Sequence, residues 1–161
     1  MSYNTWHTYG YGIRTDDIEV KSVKALEKLL KKAPEFYKDV REHFAECEIE
    51  HPTVQDYLNC SALSLFPISG LLEDPHSCHR GLAYLLREVI AESAGIELCD
   101  CDDVDGREFL LFTPEYPWYF KKRQKAYRMT EDKLDALFVR YLKIITDVPP
   151  KPGYEEVENG G

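Results

Sequence analysis

The chain has 161 residues, 43% hydrophobic and 12% aromatic, enough for one self-supporting domain without a metal or disulfide. That aromatic content excludes global disorder, and nine glycines with nine prolines exclude a collagen-like class. Lysine and arginine total 20 against 29 aspartates and glutamates, and the net charge of −9 disfavours non-specific binding to nucleic-acid backbones.

Residues 3–13 alternate as a strand, with Tyr3, Thr5, His7, Tyr9, Tyr11 and Ile13 on one face. Trp6, Thr8, Gly10 and Gly12 fall on the other, where the glycines leave room for a closely approaching helix or a bulge. Asp16 and Asp17 are placed to cap a helix whose apolar positions are Val23, Leu26, Leu30 and Ala33. Pro34 closes that helix and opens a second, striped by Phe36, Val40 and Phe44. His51-Pro52 marks a turn, and Thr53 to Asn59 suits a short helix. Pro67, Gly70 and Pro75 make the stretch 61–79 irregular.

Leu82, Leu85, Leu86, Val89 and Ile90 form a helical face ended by Gly95. Ile96 to Cys101 and Arg107 to Thr113 read as strands joined through Asp105-Gly106. Thr130 caps a last helix faced by Leu134, Leu137, Phe138, Tyr141, Leu142 and Ile145. Pro149-Pro150 and Pro152-Gly153 end it. The predicted fold is α+β, with four or five helices packed on a small antiparallel sheet. The N-terminal strand returns to pair with the hairpin near 96–113. Residues 1–150 are expected to form the single domain and 151–161 an acidic C-terminal tail.

Five cysteines (Cys47, Cys60, Cys78, Cys99 and Cys101) make no even framework for a secreted disulfide scaffold. With no signal-like N-terminus and no long apolar run, a reduced, cytoplasmic protein without a membrane span is expected. Neither a P-loop, a nucleophile elbow, a zinc-protease motif nor a dinucleotide fingerprint is present. The acidic run Asp100, Asp102, Asp103 and Asp105 does not fit a calcium loop. Aligning Gly106 with the loop glycine puts Cys101 and Phe112 where the first and last carboxylates belong.

These four aspartates are therefore read as a docking surface, with Tyr116, Trp118 and Tyr119 of the proline-flanked 115–120 stretch as aromatic anchors. No catalytic residue, metal or cofactor is expected. Two alternatives use other residues. One is a small metal-dependent enzyme built on His76, Cys78 and His79. The other is a single-strand nucleic-acid binder using the basic run Lys121 to Arg128, interleaved with Tyr119, Phe120 and Tyr127, which the overall charge disfavours.

The opening Ser2-Tyr3-Asn4-Thr5-Trp6-His7-Thr8-Tyr9-Gly10-Tyr11-Gly12-Ile13 resembles that of small uncharacterised proteins carried by bacterial phages and other mobile elements. The likeness extends to Leu111-Phe112-Thr113-Pro114-Glu115-Tyr116-Pro117-Trp118 and to Val157-Glu158-Asn159-Gly160-Gly161. It carries no catalytic or binding residue with it. What the resemblance implies is a setting, because accessory genes of mobile elements encode compact inhibitors of host defence, anti-CRISPR proteins among them. The expected function is a non-enzymatic acidic protein that occupies a basic nucleic-acid groove on a host or effector protein.

Overall fold

The tyrosine–glycine alternation near the N-terminus folds as β1 (Trp6–Arg14) in a computed structural model that describes residues 6–59, 81–113 and 129–159. It lies inside a four-stranded antiparallel sheet with β2 (Cys99–Asp102), β3 (Glu108–Phe112) and β4 (Gly153–Asn159), in the order β2-β3-β1-β4. Tyr11 is flanked by Phe112 on one side and Tyr154 on the other. Five helices are described: α1 (Val23–Leu30), α2 (Pro34–Glu46), α3 (Val54–Leu58), α4 (Leu82–Ala94) and α5 (Glu131–Ile145). The α+β class and the return of the N-terminal strand to the hairpin are as the sequence predicts.

Local signals account for most helix ends. Pro34 occupies the first turn of α2, where its fixed φ suits a helix and its missing N–H leaves nothing unpaired. Thr53 and Asp56 satisfy each other's backbone N–H groups at the start of α3, and the Thr130 hydroxyl accepts from the Lys133 N–H in α5. One cap differs from expectation. Ser22, not Asp16 or Asp17, caps α1 by accepting from the Ala25 N–H at 3.2 Å. The Asp16 carboxylate is drawn elsewhere, by two Arg14 hydrogen bonds of 2.7 Å and by the Glu108 N–H at 3.1 Å.

Helices cover one side of the sheet. Leu26, Leu29 and Leu30 of α1 join Leu85, Val89 and Ile90 of α4, and Phe138, Leu142 and Ile145 of α5. Ile13 and Leu110 meet this cluster from the sheet. Every apolar position predicted for the α5 stripe is buried. This is the burial that holds the layers together, because each fully covered side chain of this kind contributes roughly 1.5–3 kcal/mol.

The largest correction concerns the C-terminal stretch. Residues 153–159, which composition marks as part of an acidic tail, form β4 and pair with β1 from Gly12–Gly153 to Trp6–Asn159. The folded domain thus continues past residue 150. The side chains of Tyr154, Glu156 and Glu158 project from the exposed side, which tolerates the two carboxylates, while Val157 turns inward at 1% exposure.

The sheet also curls. Asn159 lies at the Trp6 end of β1, whereas Asp102 pairs with Glu108 beside the opposite end. Yet the Asn159 amide donates to the Asp102 carbonyl at 2.9 Å, and the Val104 N–H donates to the Glu158 carbonyl at 3.0 Å. Contact across that offset requires strong coiling, of the kind that brings sheet edges together in small barrels. The inner face holds a second cluster of Phe109, Leu111 and Val157, with Cys101 against it. Gly10 and Gly12 share this face. What approaches them is the backbone of β3, neither a helix nor a bulge.

Candidate functional site

The four hairpin aspartates have different fates. Asp100 forms an ion pair with Arg87 of α4, which also reaches Glu88 at 2.9 Å, so its charge is largely answered within the chain. Asp103 closes the hairpin loop by accepting from the Asp105 N–H at 2.9 Å and the Arg107 N–H at 2.8 Å. Replacing it with alanine removes both bonds, and chemical denaturation should show a loss of about 1 kcal/mol. No change on denaturation would mean that the Asp103 turn contributes nothing to stability. Asp102 offers its carbonyl to Asn159, and Asp105 is exposed beside Val104 at the hairpin tip. Tyr116, Trp118 and Tyr119 lie outside the described residues, as do His76, Cys78, His79 and the run 121–128.

Cys99 and Cys101 point to the inner face of the curled sheet, as the spacing of a strand dictates. The adjacent Cys99 thiol, burial, and the charges of Asp102 and Asp100 all push the Cys101 thiol well above its ordinary range. It stays protonated and is a poor nucleophile or thiolate ligand. Among the described residues, no group of three or more His, Cys, Asp or Glu side chains is arranged to hold a metal ion. No helix among them is long and apolar enough to cross a membrane.

The open acidic surface lies where the hairpin tip meets β4. The Val104–Glu158 backbone bond joins the hairpin tip, where Asp105 is exposed, to β4, where Glu158 and Glu156 are exposed. Glu156 also sits 3.0 Å from His7 Nδ1. Sequence reasoning missed these β4 carboxylates. The available signal was the alternation of Tyr154, Glu156 and Glu158 with inward Val157.

Beside this surface is a cleft of about 510 Å³ between the β1–β4 pair and the first turn of α5. The helix covers β1 only as far as Tyr11, whose hydroxyl donates to Asp135 at 2.6 Å. Beyond that point Tyr9 is 56% exposed and Tyr154 is 75% exposed. Tyr154 donates to Glu131 at 2.6 Å, and Tyr9 to Glu156 at 3.3 Å. Tyr11 and Tyr154 meet edge to face, with centroids 5.0 Å apart.

These pairings set the local electrostatics. The hydrogen bond to Asp135 and burial push the Tyr11 phenol up to about 12. The charge of Glu156 raises Tyr9, and the bond to Glu131 raises Tyr154. All three phenols remain neutral donors. The cleft thus combines ring faces with a negative rim. A second groove of about 670 Å³ between residues 17–21 and 146–150 lacks this one-sided character, since Lys21 pairs with Asp147 there at 3.1 Å.

No protein-family model, curated protein or solved structure matches this chain.

Proposed function

We propose that this chain is a non-enzymatic acidic protein that binds a basic surface on another protein. The observation that carries the reading is the backbone bond between Val104 and Glu158, which joins the hairpin tip, with exposed Asp105, to a strand with exposed Glu156 and Glu158. Glu156 and Glu158, fixed on a paired strand, lose little freedom on docking, and the carboxylates impose charge complementarity on the partner. In its most concrete form, the partner's surface is a groove that otherwise holds nucleic acid. That role suits an inhibitor of host defence carried by a mobile element. The metal-dependent and nucleic-acid-binding alternatives rest on residues outside those described, and no observation favours them.

The test is capture on the immobilised full chain from a bacterial lysate. The retained protein should bind nucleic acid and be displaced by single-stranded DNA. It should also be released as salt rises to about 1 M, where the screening length falls to about 3 Å. Asp105→Asn combined with Glu158→Gln should weaken retention. A partner held equally at high salt and indifferent to DNA would overturn the reading.

A further inference from the structure

The geometry points to the cleft between β1, β4 and α5 as the seat for one arginine side chain of the basic partner, an assignment that rests on the protein-binding reading above. The walls are aromatic and apolar: Tyr9, Tyr11, Phe112, Met129 and Tyr154. Its rim carries Glu131 and Glu156, and no lysine or arginine lines it among the described residues. The occupant follows from this pairing of surfaces. An anionic ligand would face the rim carboxylates, and a purely apolar one would desolvate them without return.

A cation satisfies both parts. It is drawn to the negative faces of the rings and to the carboxylates at their edges. Guanidinium fits better than ammonium because it is flat, stacks on rings and offers a fork of donors to a carboxylate. The tyrosine hydroxyls are already turned to Glu131, Asp135 and Glu156, which leaves the rings rather than the phenol groups to meet a ligand. The edge-to-face contact of Tyr154 with Tyr11 holds one wall in place before any partner arrives.

Titration of the isotope-labelled full chain with acetyl-Gly-Arg-Gly-amide at low salt tests the assignment by NMR. Resonances of Tyr9, Tyr154, Met129 and Thr130 should shift with the arginine peptide, less with its lysine counterpart and not with the neutral citrulline counterpart. Tyr154→Leu should weaken the arginine peptide roughly threefold, the worth of an exposed cation–ring contact, and Glu156→Gln by about the same factor, the worth of an exposed ion pair. Both positions are exposed, so resonances beyond their direct contacts (His7, Tyr9, Tyr11 and Glu131) should stay in place.

Equal binding of the citrulline peptide, or shifts confined to another surface, would overturn the assignment. So would binding seen only in an Arg128→Gln variant, which would make the chain's own basic segment the occupant. If the cleft ignores arginine while capture of the partner stays sensitive to salt, the cleft assignment falls alone. If the cleft takes arginine but capture is indifferent to salt and DNA, the broader reading falls and the partner's arginine with it.

Discussion

Replacing Gly12 with alanine should cost about 3 kcal/mol or more of folding stability, because the added methyl has nowhere to go. An ideal Cβ at this position would stand 2.0 Å from the Leu110 carbonyl oxygen and 2.9 Å from the Leu111 Cα. Both are backbone atoms of the paired strand, so no side-chain rotation relieves the overlap. Strand β1 would have to move away from β3, weakening the ladder that joins Gly12 to Leu111 and Ile13 to Leu110. It would also open the inner cluster of Phe109, Leu111 and Val157.

The control lies directly across the β1–β4 ladder. Gly153 pairs with Gly12, yet a Cβ there meets nothing within 4 Å. Gly153→Ala should therefore be neutral, or stabilising by up to about 1 kcal/mol through the unfolded chain. Denaturant midpoints at unchanged slope would report both effects. A Gly12→Ala protein as stable as the Gly153→Ala protein would show that the coiled sheet tolerates separation of β1 from β3.

The contrast between these two glycines also separates what can be read in the chain from what cannot. Helix α5 is legible because Leu134, Leu137, Phe138, Tyr141, Leu142 and Ile145 repeat at the helical period behind a Thr130 cap. The hairpin is legible because Asp105-Gly106 supplies a residue at positive φ, observed at 80° for Gly106. β4 is not legible, because its stability comes from hydrogen bonds to β1 and from one buried side chain, Val157. Its own composition, with glutamates at 155, 156 and 158, argues for solvent. Pairing supplied by a distant partner leaves little trace in a local pattern.

The same limit applies to the candidate site. Charge at Asp100 and Asp103 is visible in sequence, but the capture of Asp100 by Arg87 depends on how α4 lies on the sheet. The cleft is harder still. Tyr9 and Tyr154 come from opposite ends of the chain and meet only because β1 and β4 are neighbours. The aromatic richness of the N-terminal strand was the available clue, and its acidic partners were hidden in a stretch that looks unstructured.

Glu108 provides the second large expected effect, a fall in stability as pH rises from about 4.5 to about 7. This carboxyl is 5% exposed, and its Oε1 accepts from the Thr15 hydroxyl at 2.7 Å and the Ala83 N–H at 2.9 Å. Helix α4 has Gly81 at its N-cap with no side chain to offer, so Glu108 satisfies the first turn from across the sheet. Burial nevertheless raises its pKa from 4.5 to about 7, against the two hydrogen bonds, and the negative charges of Asp102 and Asp100 add to the rise. Asp16 also faces it through the Glu108 N–H, with Arg14 held on Asp16 and Arg87 on Asp100.

Between the two pKa values the folded chain binds more protons than the unfolded one, so stability declines with rising pH and levels off above about 7. The full difference is about 3 kcal/mol. Glu108→Gln keeps an oxygen for Ala83 and Thr15 but cannot ionise. Its stability relative to the parent should therefore climb across that pH range and reach a plateau near pH 8, about 3 kcal/mol above its value near pH 4. Glu108→Ala separates the cap from the charge, because it leaves the Ala83 N–H unpaired and should be less stable than Glu108→Gln by roughly 1–3 kcal/mol at every pH. A pH-independent gap between the glutamine variant and the parent would mean that Glu108 titrates alike in the folded and unfolded chain, its hydrogen bonds and the helix N-terminus offsetting its burial.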